Sequence, residues 1–204
     1  FVHMTGMSDF AWRAAADSGA RISLSVPIEM CMRHGMPPIA KALQHGMQPS
    51  LSSDVECTMT ADFFTLMRSV LTLQRALVNE AALAGADDLP ELLTCRDVLR
   101  FATVEGAKTL RLDKKVGSLS PGMEADLILL DATAINVAPL NHVPGAVVTL
   151  MERSNVDTVI VAGKIRKWNG AMLDMDLRKL RGELEASRDY LFDAAKVDKD
   201  LFRI

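Results

Sequence analysis

The chain has 204 residues, 49% hydrophobic and 24% charged, with a formal net charge of −3. That content supports a packed core and argues against disorder, and the acidic balance gives no basic footprint for nucleic acid. No apolar run reaches the roughly 18 residues of a membrane span, and the first residues lack the charged, apolar and small-residue order of a secretory signal.

Val2-His3-Met4-Thr5 reads as a short strand. Ser8 and Asp9 can cap a helix reaching Asp17, with Gly19 as its C′ residue. Residues 21–26 alternate at period two and read as a strand ended by Pro27. A loop is expected next, carrying Glu29, Cys31, Arg33 and His34. Pro37-Pro38 opens a short helix through Gln44, stopped by Gly46. His45 sits at that helix end, where a cation favours the dipole, and reads as a surface group. Residues 47–53 form the next expected strand, closed by Asp54, and a long helix over residues 61–83 follows. Repeated strand–helix units of this spacing build doubly wound sheets or barrels. A carboxylate at the C-terminal tip of such a strand lies where β/α barrels keep catalytic and metal groups.

Residues 84–90 form a polar linker with Gly and Pro. Thr94 caps one helix and Thr103 a second reaching Leu110. After Leu112 the pattern changes. Residues 115–119 read as a short strand and Ser120-Pro121-Gly122-Met123 as a type II turn. Residues 125–131 read as a buried strand, and residues 145–153 as a short helix. A hairpin turns at Ala162-Gly163-Lys164 between residues 156–161 and 165–168. Asn169-Gly170 makes another turn. Asp174 or Asp176 caps a charged amphipathic helix to Ala195, with Leu177, Leu180, Leu184 and Leu191 on one side. That side is expected to pack on the preceding units or on a second copy of the chain. The cysteines Cys31, Cys57 and Cys95 are odd in number and lack CxxC spacing. They read as free thiols in a reducing cytoplasm rather than a disulfide or zinc framework. His142 reads as structural.

Three stretches resemble the amidohydrolase superfamily, in its branch of cytosine deaminases, adenosine-analogue deaminases and chlorohydrolases. Phe1-Val2-His3-Met4-Thr5 with Ser8-Asp9 resembles the sixth barrel strand and the helix start after it. Ser52-Ser53-Asp54 resembles the end of the eighth strand. Gly117-Ser118-Leu119, Gly122-Met123-Glu124-Ala125-Asp126 and Leu127-Ile128-Leu129-Leu130 resemble the re-entry into a small β-sandwich beside the barrel. Two departures stand out. Val55-Glu56 follows Asp54 where the family usually has Gly, and Ile28-Glu29-Met30 follows Pro27 where these deaminases often have Ser-Asn.

The resemblance implies an α/β fold: the C-terminal part of a (β/α)8 TIM-type barrel over residues 1–112, a β-sandwich segment over 113–172, and a C-terminal helix and tail over 173–204. It implies a metal-dependent hydrolase acting on C–N or C–Cl bonds of a small nitrogen-rich ring or cyclic amide, using metal-activated water. Asp54 is then catalytic and a metal ligand, and His3 is catalytic through the water or the leaving group. Glu29, His34 and Glu56 are assigned to substrate binding. The cofactor is a divalent metal, expected to be zinc. The family's His-x-His pair and fifth-strand His have no counterpart here. The chain is therefore expected to be a fragment, inactive alone, whose partners are the N-terminal half of the barrel and a small-molecule substrate. The alternative is a non-catalytic scaffold or binding subunit that lost its metal centre.

Overall fold

The computed structural model describes residues 1–33, 35–56 and 59–198. Helix α1 (Asp9–Asp17) starts at Ser8, whose hydroxyl accepts the Ala11 N–H, and turns its Trp12–Ala15 side inward. Strand β1 (Ser23–Leu24) pairs in parallel with β2 (Ser50–Leu51), and Val2 makes a further parallel bridge to Ser23. Three parallel segments therefore lie side by side, in the order Val2, β1, β2. Between them run α1, α2 (Val26–Cys31) and α3 (Ile39–Gln44).

The strands are shorter than the alternation predicts. Residues 21–26 yield two ladder residues because the chain enters α2 at Val26, with Pro27 in the first turn. Proline lacks the N–H a strand needs but suits a helix start. The loop expected around Glu29 is thus a helix. His45 also differs from its reading: it is half-buried, its ring stacked on Trp12 at 6.0 Å.

Helix α4 (Phe63–Leu83) is capped by Asp62, which accepts the Phe64 N–H. It buries Phe64, Leu66, Met67, Val70, Leu71 and Gln74, the spacing of one helix face. Gln74 reaches across to the following linker, donating to Glu91 O at 2.9 Å and accepting from Leu93 N at 3.1 Å. Helix α5 (Cys95–Ala102) opens with a reciprocal capping box between Thr94 and Asp97 and packs on α4. Helix α6 (Val104–Thr109) follows at once. The apolar centre of the molecule gathers Trp12, Ile22, Leu24, Ile39, Val70, Val98, Phe101 and Val148.

Beyond α6 the expected strand at residues 115–119 is instead a turn. Lys115 N and Val116 N both donate to Leu112 O, at 2.8 and 2.9 Å. Gly117, at φ +96°, lies so close to α6 that a Cβ there would stand 2.6 Å from Ala107 Cβ. The Ser120–Met123 turn has the expected form, with Gly122 at φ +89° and Met123 N donating to Ser120 O.

Strand β3 (Leu127–Leu130), α7 (Val143–Thr149), β4 (Val156–Val161), β5 (Lys164–Trp168) and β6 (Ala171–Met172) follow. They form an antiparallel sheet in the order β3-β4-β5-β6, with the hairpin and the Asn169-Gly170 turn as predicted. β3 is not the buried strand expected from its apolar run: Ile128 is 48% and Leu129 50% exposed. Among the described residues it is an edge strand, paired with β4 alone. His142 caps α7 by accepting the Gly145 N–H, the structural role anticipated. α7 ends at Thr149 and a single 3₁₀ turn occupies Arg153–Asn155, so the helix expected over 145–153 is two elements. Helix α8 (Leu177–Ala195) is capped by Asp176. It buries none of its residues, so its leucine side does not pack on the preceding units. Among the described residues no helix is long and apolar enough to cross a membrane.

Candidate functional site

His3 follows the Val2 bridge, Glu29 lies in the helix after β1, and Asp54 comes three residues after β2. All three therefore sit past the C-terminal ends of adjacent parallel segments. The side chains meet there. His3 Nδ1 lies 3.0 Å from Glu29 Oε1, and His3 Nε2 lies 3.5 Å from Asp54 Oδ2. The imidazole thus spans two carboxylates that are far apart in sequence.

Exposure grades across the group. The Glu29 side chain is 0% exposed, His3 27% and Asp54 32%. Glu29 forms the floor and Asp54 the open side. Glu29 Oε1 also accepts the Ser25 N–H at 3.0 Å. Two buried oxygens beside this floor, Glu29 Oε2 and Ser25 Oγ, have no hydrogen-bond partner among the described residues.

The backbone around the group is held in the left-handed region at three non-glycine residues. φ is +65° at His3, +53° at Met4 and +55° at Asp54. Aspartate tolerates this region; methionine gains nothing from it. Such residues cost on the order of 1–3 kcal/mol each and cluster at functional sites. Hydrogen bonds hold them: His3 N donates to Ser23 O at 3.0 Å, and Asp54 N to Ser52 Oγ at 3.3 Å. Gly35 closes onto the same region, where a Cβ would fall 2.9 Å from Thr5 Cβ.

Of the residues assigned from sequence, the structure brings His3, Glu29 and Asp54 together. Glu56 is exposed on the chain beyond Asp54. His34, like Cys57, lies outside the described residues. Two clefts of about 620 and 680 Å³ lie elsewhere, one lined by Leu43, Gln74 and Leu93, the other by Leu110, Leu119 and Ile128. The His3–Glu29 contact was not anticipated, since nothing local links residues 26 positions apart.

A metal ion fits this group only in part. Asp54 offers a hard carboxylate oxygen on the open side, but His3 Nδ1 is committed to Glu29. Among the described residues no group of three or more His, Cys, Asp or Glu side chains is placed to hold a metal, and a catalytic zinc takes about three protein ligands.

Parallel strand–helix units with polar side chains gathered past the strand ends define an α/β protein with a candidate site at the strands' C-terminal face. The chain belongs to the amidohydrolase family, whose sequence profile matches residues 1–166. It is 30% identical over 190 residues to a 5′-deoxyadenosine deaminase of Methanosarcina barkeri, covering 93% of this chain and 41% of that protein. It is 28% identical over 180 residues to a 5-methylthioadenosine/S-adenosylhomocysteine deaminase of Acetivibrio thermocellus, covering 88% of this chain and 40% of the other. Among solved structures, a zinc-bound adenosine deaminase of Xanthomonas campestris superposes with a TM-score of 0.83 at 25% identity, over 93% of this chain and 41% of that one. The zinc complex of atrazine chlorohydrolase from Arthrobacter aurescens shares the fold, with a TM-score of 0.74 at 19% identity over 91% and 39%. The chain thus spans about 40% of the length of the curated relatives it matches.

Proposed function

We propose that this chain is part of a hydrolase acting on C–N or C–Cl bonds of a small nitrogen-rich ring or cyclic amide. The observation that carries the reading is the convergence of His3 and Asp54, 3.5 Å apart, past the ends of adjacent parallel segments. The deaminase relatives support the C–N side of it. In this reading residues 1–112 belong to a (β/α)8 barrel, 113–172 to a β-sandwich segment and 173–204 to a terminal helix and tail.

A divalent ion, expected to be zinc, supplies an activated water when bound in such a site. Asp54 is the ligand this chain contributes, and the remaining ligands come from outside its described residues. The partner is then a segment completing the strand-end face, besides the small-molecule substrate. Asp54 also accepts a proton at its exposed carboxylate. His3 contributes a hydrogen bond to the water or the leaving group. Glu56 lies on the rim, and Glu29, buried beneath His3, is assigned to the substrate side as the floor of the site. The cytoplasm is the proposed compartment, on the cysteine usage.

Metal analysis of the full-length protein, with a screen for ammonia and chloride release from ring amines and chlorinated rings, tests the proposal. Stoichiometric zinc with release from one ring class is the expected result. A folded, metal-free protein inactive across the screen would overturn it in favour of a non-catalytic scaffold.

A further inference from the structure

We propose that helix α8 is a docking surface for a second copy of this chain, the two helices lying parallel with their leucine faces together. This interface is independent of the hydrolase reading.

Leu177, Leu180, Leu184 and Leu191 follow one another at spacings of three, four and seven residues. Those are a and d places of a heptad pattern, whose remaining d places hold Ser187 and Ala194. A seam this narrow suits one facing helix, not the wider stripe that a helix lays on a globular core. All four leucines are exposed, Leu184 and Leu191 by 63% and 60%, and α8 buries none of its residues. Charge decides what covers the seam and in which direction it lies. The places flanking it carry opposite signs: Asp176 and Glu183 at g, Arg181 and Arg188 at e. In a parallel pair each g residue faces the next e residue of the other copy. Asp176 then meets Arg181 of the second copy and Glu183 meets its Arg188, each contact made twice by symmetry. In an antiparallel pair e faces e, which would set Arg181 beside Arg188 and repel. The face is therefore complementary to itself, as an interface about a two-fold axis requires. Contacts already made on α8 compete weakly. Glu183 lies 3.9 Å from Lys179 and Arg188 2.8 Å from Asp189, all four side chains exposed, and surface pairs of this kind are worth little. Asp176 keeps its cap, since both capping bonds go to Oδ1. With 19 residues the helix is short for a coiled coil, so the pairing is expected to be reversible.

Two measurements on the full-length protein test the interface. In the parallel register the two copies of Ser187 face each other across a d layer. Ser187→Cys should therefore give a covalent dimer under oxidised glutathione, well above the wild-type background from the native cysteines. Ala186→Cys, on the outer side of the pair, should not. Equal cross-linking of the two variants, or none, overturns the proposal. Sedimentation velocity over a concentration series supplies the second reading. Wild-type protein should show a reversible association. Glu183→Arg and Arg188→Glu should each weaken it about 10-fold, because two attractive pairs become repulsive. The double variant should restore it, since the signs are exchanged and the pairs re-form; that recovery also excludes misfolding as the cause of the single losses. A protein that stays monomeric at every concentration overturns the proposal, and so does an association indifferent to both substitutions, which would place the contact on another face. Stronger association in Arg188→Glu would mean antiparallel pairing, and likewise refutes the parallel arrangement.

Discussion

Asp54 and His3 touch each other, yet substitution separates their roles. Asp54→Asn preserves shape but removes the charge that, in the proposed reading, accepts a proton and holds a cation. Turnover of the full-length enzyme should fall at least about 10²-fold, with bound metal falling alongside. His3→Ala should lower turnover while most of the metal stays, because His3 is assigned to water or leaving group. Rate and metal content measured on the same samples distinguish the two, and an Asp54→Asn protein with normal values for both removes Asp54 from the chemistry. A different residue governs stability. Glu105 is 1% exposed and pairs with Arg21, Arg100 and Lys108, each at 3.0 Å. Burial pushes its carboxyl upward, but the hydrogen bonds from Lys108 and Arg100 and the Lys108 charge outweigh this, holding it below the usual 4.5. A depressed carboxylate stabilises the fold above its unfolded value and loses that contribution as pH falls through the folded one. Glu105→Gln should therefore cost about 2 kcal/mol at pH 7. The gap to wild type should narrow as pH falls below the ordinary carboxylate range and through the lowered folded value, which denaturant titrations into acid can read. A gap that stays constant into acid would show that the charge is not what Glu105 contributes.

Element by element, Gln74 shows how a helix disciplines the chain that follows it. Its carboxamide satisfies Glu91 O and Leu93 N, so Gln74→Leu leaves a buried amide unpaired at a cost of about 1–3 kcal/mol. Hydrogen exchange at the Leu93 amide should quicken well before global unfolding; unchanged protection would mean the linker is held by other contacts. The helices were the most legible part of the sequence, because their signals are local. Ser8, Thr94 and Asp176 each cap the helix that begins beside them, as read, while α4 starts at Phe63 behind an Asp62 cap that the reading from residue 61 did not name. Strand extents were less legible, since pairing partners lie elsewhere. The alternation over residues 21–26 could not reveal that Pro27 turns Val26 into a helix start, nor that β3, though apolar, lies at an edge. Turns with glycine at a positive φ were readable at Gly122. The turn at Gly117 was not, because its tightness is set by α6 packed against it. In the candidate site, His3 and Asp54 could be named from the chain alone. Their contact, and the Glu29 floor beneath them, come from the parallel order of Val2, β1 and β2.

At the scale of the whole molecule two sheets of different kind are joined in one chain, parallel at Ser23–Leu24 and Ser50–Leu51, antiparallel from Leu127 to Met172. Polar chemistry gathers at the strand ends of the first. The second carries exposed apolar residues, including Ile128, Leu129, Val161 and Ile165, and α8 adds Leu177, Leu184 and Leu191. The proposed metal dependence gives a prediction at this scale. A catalytic zinc takes about three protein ligands and an open position, and in the proposed reading Asp54 supplies one of them. The 204-residue chain produced by itself should therefore hold zinc weakly, at well under one ion per chain after dialysis, and release no ammonia from ring amines. The full-length protein should retain close to one ion under the same dialysis. Elemental analysis of both preparations side by side reads the difference directly. Stoichiometric zinc and turnover in the isolated chain would mean that its own residues complete the site, and the proposed contribution from outside would have to be abandoned.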